Sequence, residues 1–357
     1  MTALRRELTA NQTRLVVEQV ALRHRAAVKF RQADRMFFTR SALEQATDEQ
    51  VAAYKADRYR DDPRVVDLCC GIGGDMISIA AVSVCRGVDR DPIAQLLATT
   101  NCRALGLHVD ILRSEVTARI LNQGEVWHLD PDRRASGRRV TRIDDYEPGL
   151  GCVRQLTQHN PSGAIKLAPA TKLLVDDSAT ELEWVGSRGE CRQQIAWLGK
   201  LARHAGRTAT AIQPDGRVCQ LSAAQPMRTI EQVPAPARFV YEVNPTVLAA
   251  GLQGELAARN KLAKFSATTG YLTGDELVVD GLLSCFEVFE VLPFDVKRVR
   301  ALLRQRGISH LEIKHRGLPI QVNELRQQLR LKQGSERAVL IVAGKRGRTV
   351  AILARRC

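Results

Sequence analysis

Three carboxylates set at the ends of apolar runs, with glycines close to the first of them, are the residues of this chain best placed to do chemistry. Val65-Val66-Asp67-Leu68-Cys69-Cys70-Gly71-Ile72-Gly73-Gly74-Asp75 passes from β-branched to small residues, and Met76, Ile77, Ile79 and Ala80 then begin a new apolar pattern. That order reads as strand, tight turn, helix. Gly71 and Gly73 would let the backbone turn sharply and approach a ligand where a side chain would stand in the way. Val84 to Asp89 reads as a second short strand ending in an acid, and Glu125 to Asp130 as a later one that runs into Pro131. A carboxylate about 20 residues beyond such glycines suits a ribose diol, which donates hydrogen bonds to it. The alternative for the turn is an ordinary strand-to-helix connection; three acids converging with it point to a ligand.

Convergence requires a parallel sheet, because ligands sit outside the carboxyl ends of such strands. Strands are expected at 65–70, 84–89, 109–113, 125–130 and 163–168, with helices near 74–81, 91–104 and 115–122. Asp91-Pro92 opens the second helix with a cap and a proline at its first position. Glu115, just after the third strand, is either a ligand contact or a first-turn helix carboxylate. Lys166 ends the fifth strand, facing the crevice or snorkelling to solvent. A strand at 181–186, a helix across 189–202 and a strand near 207–212 follow. This is an α/β unit with a Rossmann-like sheet.

Residues 1–62 read as a helical extension. Leu15, Val16, Gln19, Val20 and Leu22 suggest one amphipathic segment, Met36-Phe37-Phe38 packs aromatics between charges, and Thr47-Asp48-Glu49-Gln50 forms a capping box ahead of a helix to about Tyr59. This extension feeds directly into the first strand and could lie over the crevice as a lid. Pro226 to Pro236 holds three prolines and few periodic apolar residues, which places a boundary there: extension 1–62, sheet domain 63–228, C-terminal α+β region 237–357. Asn244-Pro245 starts a helix through about Leu262. Beyond it the pattern reads strand, helix (295–306), strand (309–314), helix (321–330) and two strands (337–343, 348–354).

Charge is unevenly spread. The chain carries a formal +14, and residues 285–357 hold 16 Lys/Arg against 6 Asp/Glu. Such a surface favours phosphate backbones. Arg133, Arg134, Arg138, Arg139 and Arg142 crowd the segment after Asp130-Pro131, where guanidinium planes can stack on bases or clamp phosphate. Lys314, His315 and Arg316 end one C-terminal strand, and Lys345, Arg346 and Arg348 sit in the last hairpin turn, two basic tips suited to RNA shape recognition. Nine cysteines without a C-x-x-C pair indicate neither zinc nor a redox dithiol, so no metal is expected. No apolar run is long enough to span a bilayer and no secretory core follows Met1, so a cytoplasmic protein is expected.

A dinucleotide site would add a third glycine, but Met76 holds that place, and Asp75 puts a carboxylate where pyrophosphate would sit. Such a charge tolerates a cationic sulfonium instead. The turn therefore resembles the glycine motif of class I S-adenosylmethionine-dependent methyltransferases, and Asp130-Pro131 resembles their catalytic Asp/Asn-Pro-Pro-aromatic motif, with arginines where the aromatic would stand. Phe37-Phe38-Thr39-Arg40, Glu44-Gln45-Ala46-Thr47, Asp130-Pro131-Asp132-Arg133-Arg134 with Gly137-Arg138-Arg139, Tyr271-Leu272-Thr273-Gly274-Asp275-Glu276 and Leu311-Glu312-Ile313-Lys314 extend the likeness across nearly the whole chain. It resembles the bacterial members of that class with a C-terminal THUMP-like domain (here about 285–357) and is more distantly similar to trimethylguanosine synthase. The resemblance implies S-adenosylmethionine as cofactor, held by Thr47, Asp67, Cys69, Gly71, Gly73, Asp75, Asp89, Arg90, Glu115 and Asp130. It implies Asp130 and Pro131 as catalytic and a C-terminal module resembling RNA-binding domains, without settling a substrate; the basic residues Arg133, Arg134, Arg138, Arg139, Lys314, Arg316, Lys345 and Arg346 make RNA the expected acceptor. The expected reaction is methylation of a base nitrogen. A non-catalytic RNA-binding or S-adenosylmethionine-sensing protein on the same fold is the alternative, and a nicotinamide oxidoreductase a distant third.

Overall fold

The computed structural model describes residues 4–133, 142–172, 180–225, 228–266, 270–316, 318–331, 334–345 and 348–357. They form two compact units, Met1–Gly206 with Pro214–Arg217, and Arg207–Gln213 with Val218–Cys357.

The first unit begins with helices α1 (Ala10–Ala26), α2 (Arg40–Gln45) and α3 (Glu49–Ala56). Phe30, Met36, Phe38 and Leu43 pack with Leu22 and Ile72 into one buried cluster, which fastens the extension to the glycine turn. Asn101 completes the fastening: its side chain accepts from Phe37 N at 2.7 Å and donates to the carbonyls of Phe37 and Ile72, both at 3.1 Å. On α1 only part of the expected apolar face is buried. Leu15, Val16 and Val20 are exposed, while Thr13, Leu22 and Ala26 are buried.

Strands β1 (Arg64–Leu68), β2 (Val84–Asp89), β3 (Asp110–Arg113), β4 (Val126–Leu129) and β5 (Gly163–Leu167) pair in parallel. With β6 (Glu181–Ser187) and β7 (Glu190–Trp197) the order is β3-β2-β1-β4-β5-β7-β6, β7 running antiparallel to both neighbours. Chain direction across the sheet reverses at β1 and β4, so the crevice opens beyond their carboxyl ends. Both strands are buried on both faces after their first residues, which is why they read as continuous apolar runs. Trp127 lies flat on Gly163, where a Cβ would fall 2.1 Å from the indole.

Helices α4 (Met76–Ala80), α5 (Pro92–Ala104) and α6 (Leu150–His159) connect these strands. The expected helix at 115–122 is only a 3-10 turn over Ala118–Ile120; its Val, Thr and Ile residues let Val116 and Ile120 reach the core without a helix. Helix α6, not among the helices expected from the sequence, buries Val153 and Leu156 there instead. Nor is 189–202 a helix. Arg188 (φ 53°) and Gly189 (φ 74°) make the two-residue left-handed turn of a hairpin. The buried run Gln193 to Trp197 lacks the alternation that would have marked it as strand.

The second unit holds the hairpin β8 (Gly206–Ile212) and β9 (Val218–Ala223), then β10 (Phe239–Val243), α7 (Pro245–Ala250), α8 (Gln253–Arg259), β11 (Tyr271–Gly274), β12 (Leu283–Pro293), α9 (Val296–Gln305), β13 (Ile308–His315), α10 (Val322–Leu329), β14 (Glu336–Lys345) and β15 (Arg348–Arg356). Gly251 at φ +72° divides the single helix expected over 244–262 into α7 and α8. The six-stranded sheet runs β11-β10-β12-β15-β14-β13. Leu340, Val342, Ala351 and Leu353 face Val299 and Leu303 of α9 and Leu325 and Leu329 of α10. Val339, Ile341, Ala343, Ile352 and Ala354 point to the other side, against Val240, Tyr271 and Phe286. Among the described residues no helix is long and apolar enough to cross a membrane.

Candidate active site

The crevice, about 600 Å³ in volume, is framed by the glycine turn, the ends of β2, β4 and β5, and residues 39–47 of the extension. Cys69 (φ 61°), Gly71 (φ 56°) and Gly73 (φ 87°) place three left-handed residues within five, so the chain reverses at once after β1. For Cys69 that conformation costs about 1–2 kcal/mol, a strain glycine would not incur. Asp89 holds the turn in place: its Oδ2 accepts from Gly71 N and its Oδ1 from Asp91 N, both at 2.9 Å. Burial pushes the Asp89 carboxyl above its ordinary range, against these two amide bonds.

Of the residues singled out in the sequence, Thr47, Asp67, Cys69, Gly71, Asp75, Asp89, Arg90, Glu115, Asp130, Pro131 and Arg133 all line this crevice. Gly73 does not; it shapes the turn behind it. Thr47 is not the helix cap its capping-box pattern suggested. Asp48 caps α3, and the Thr47 hydroxyl donates to Asp75 Oδ2 at 2.7 Å. Arg90 pairs with Glu147 and lies 3.9 Å from Glu115. Arg133 Nη1 is buried without a hydrogen-bond partner among the described residues. Arg134, Arg138, Arg139 and Arg346 lie outside the described residues, as does the side chain of Lys345.

Behind the acids runs a buried polar chain that sequence reasoning missed. Asp67 and His128 are register partners on β1 and β4, and their side chains meet at 2.6 Å. His128 Nε2 lies 3.3 Å from Lys55 Nζ, which pairs with Asp75 Oδ1 at 2.6 Å. All four side chains are at most 5% exposed. The carboxylate expected to repel a phosphate is thus already met by Lys55. Burial alone would raise the Asp75 carboxyl, but Lys55, with His128 and Lys166 behind it, holds it well below the usual range. Burial raises Asp67, with His128 opposing, and its Oδ2 has no hydrogen-bond partner among the described residues. The signal was present: Asp67 and His128 hold the same place in two adjacent strands, one acidic and one basic in otherwise apolar runs.

Lys166 resolves its two readings by facing inward, 7% exposed, with Nζ 2.6 Å from Asp130 Oδ2 and 3.2 Å from the Gln45 carbonyl. In the second unit, Lys314 and Arg316 do not stand free at a basic tip. Both meet Glu242, at 2.6 and 3.3 Å, and Lys314 also reaches Glu312 at 3.2 Å. Among the described residues no cluster of His, Cys, Asp and Glu is placed to hold a metal ion.

Comparison with known proteins bears on the whole chain. Two S-adenosylmethionine-dependent methyltransferases of Mycobacterium tuberculosis, from two strains and themselves uncharacterized, are each 31% identical over 341 residues, covering 91% of this chain and 91% of theirs. The chain belongs to the S-adenosylmethionine-dependent methyltransferases. Its C-terminal residues 283–356 match the family described as THUMP domain-like. A crystal structure assigned to a methyltransferase from Porphyromonas gingivalis superposes with a TM-score of 0.79 at 21% identity, over 98% of this chain and 92% of that one, and shares its fold. S-adenosylmethionine is accordingly the cofactor of this methyltransferase, whose sheet is the Rossmann-like one of class I.

Proposed function

We propose that this methyltransferase modifies a nitrogen of an RNA base, with the crevice as its cofactor site and Asp130 at the reaction centre. The observation that carries the reading is the placement of Asp130. It follows β4 at the switch point, 27% exposed, and its Oδ1 has no partner among the described residues. The crevice fits the cofactor on the chain's own terms. Asp67 Oδ2 is a buried acceptor with no donor among the described residues, and the ammonium of the cofactor's methionine end would supply one. Asp89 retains lone pairs for a ribose diol after accepting from two amides, and Glu115, in the crevice lining, would meet the adenine edge.

S-adenosylmethionine supplies a methyl group already activated on a cationic sulfur, so the protein's work is placement and desolvation. Thr47 and the glycine turn would hold the methionine end, with Cys69, Gly71 and Asp75 beside it. Asp130 would accept a hydrogen bond from the acceptor nitrogen and turn its lone pair toward the methyl, with Pro131 fixing the chain after it. Arg133 and the arginines to 142 would meet the RNA, and the THUMP-like module with its basic α9 would extend that contact; Lys314 and Arg316 contribute less, being matched by Glu242. The organisation proposed is an extension over 1–62, a catalytic domain over 63–228 and a C-terminal region over 237–357, with residues 39–47 as one wall of the crevice.

The test is transfer of labelled methyl to total RNA from cells lacking the protein, followed by nucleoside analysis. Asp130→Ala should reduce transfer by about 10²–10⁴-fold, with calorimetric affinity for S-adenosylmethionine largely kept. Turnover surviving in a folded Asp130→Ala protein, or label appearing only in protein or small molecules, would refute the assignment.

A further inference from the structure

Lys166 and Asp130 form a pair at the crevice in which each partner keeps a free valence. Asp130 Oδ2 is taken by Lys166 Nζ at 2.6 Å, leaving Oδ1 as an open acceptor. The Lys166 ammonium has three N–H groups, and the described residues offer it two acceptors, Asp130 and the Gln45 carbonyl at 3.2 Å. One donor and one acceptor, side by side, therefore line the crevice at the proposed reaction centre.

Two kinds of base edge match that pattern. An exocyclic amine beside a ring nitrogen gives donor and acceptor, and so does a lactam, –NH–C(=O)–. Charge separates them. Attack by a neutral amine leaves the nitrogen positively charged, and an ammonium held within hydrogen-bond reach opposes that. A lactam nitrogen must instead lose its proton to become nucleophilic, and the resulting negative charge rests largely on its carbonyl oxygen. A fixed ammonium aimed at that oxygen stabilises it, as oxyanion donors do elsewhere. Asp130 cancels Lys166 in the resting pair, but on taking the lactam proton it becomes neutral and leaves the ammonium facing the anion.

We propose that the acceptor is the lactam edge of a guanine or uracil in RNA, with Lys166 as a second catalytic group; this deepens, and rests on, the RNA reading above. The lactam N–H proton passes to Asp130 Oδ1 and on to solvent. The nitrogen lone pair forms the new N–C bond while the C–S bond breaks and its electron pair goes to sulfur. Substrate and cationic donor thus yield methylated base, neutral S-adenosylhomocysteine and one proton.

The experiment uses the full chain, labelled S-adenosylmethionine and total RNA from cells lacking the protein, with methylated nucleosides resolved by mass. Label in 1-methylguanosine or 3-methyluridine is expected. Label in an exocyclic amine, such as N6-methyladenosine or N2-methylguanosine, would overturn the lactam assignment and leave RNA methylation standing. No label in RNA would remove both. Lys166→Met provides a second readout. Transfer should fall by about 10²-fold, and the deficit should shrink as pH rises, because an already ionised lactam needs the ammonium less. A deficit constant with pH in a folded Lys166→Met protein would make Lys166 structural and sink its catalytic role.

Discussion

The two units bury comparable runs of strand but fill them differently. In the first, β1 and β4 carry Asp67 and His128 into the interior, and Lys55 and Asp75 extend that polar chain behind the crevice. In the second, β14 and β15 place nothing but Ala, Val, Ile and Leu between the α9–α10 layer and the opposite face, and keep charge at the sheet's margin as the Glu242 and Glu312 pairs. Burying ions and then pairing them seldom beats an apolar core of equal volume. The first unit therefore carries its ions for what they do to the crevice, and the second unit's charges can be lost at little cost to its fold.

The sharpest way to break this contrast is Lys55→Met. It strands a buried Asp75 and should destabilise the first unit by about 3–5 kcal/mol. All three tryptophans, Trp127, Trp184 and Trp197, lie in that unit, so their fluorescence during urea unfolding reads it directly. The double variant Lys55→Met with Asp75→Leu should recover most of the loss while transfer stays impaired. If the double variant were as unstable as the single one, the polar chain would be structural and the contrast would fail. In the second unit, Leu340→Ala on β14 should cost about 2–5 kcal/mol by opening a cavity. Amide hydrogen exchange along β14 and β15 would show it.

Acid sharpens the difference further. The Asp75 carboxyl is depressed in the folded chain from its ordinary 3.8, so its contribution is present above that value. It is lost as pH falls below it toward the folded-state value. The tryptophan-detected midpoint of the wild type should fall steeply below pH ~4, and that of the double variant less so. Equal slopes would mean that Asp75 is not held ionised by Lys55.

How much of this could be read in advance follows the same division. The glycine turn, the parallel strands and Asp130-Pro131 were legible because each depends on local residue types: glycine for φ > 0, β-branched runs for buried strand, an acid at a strand end. So was the alternation of β14 and β15 with α9 and α10. The polar chain was not, since Lys55 reaches Asp75 only once α3 packs on α4, and no spacing along the sequence encodes that contact. The 189–202 helix failed for a related reason: a strand covered on both faces loses the period-2 signal, and only the Arg188-Gly189 turn betrayed it. Lys314 and Arg316 looked like a free basic tip because Glu242, which neutralises them, lies some seventy residues earlier in the chain.

That pairing gives the smallest expected effect. Lys314, Arg316 and Glu242 are 19%, 27% and 19% exposed, and the amide oxygen of a glutamine still accepts from either cation, so removing the charge should cost about 1 kcal/mol. Glu242→Gln keeps the shape while releasing two cations from their counter-charge. Under the RNA reading this should tighten binding of a single-stranded RNA probe to the full chain and steepen its salt dependence, because each phosphate neutralised releases a counterion. Binding and salt slope unchanged by Glu242→Gln would place the RNA elsewhere on the surface and reduce Lys314 and Arg316 to a structural role. A loss of several kcal/mol would instead show that the second unit, like the first, depends on its ions.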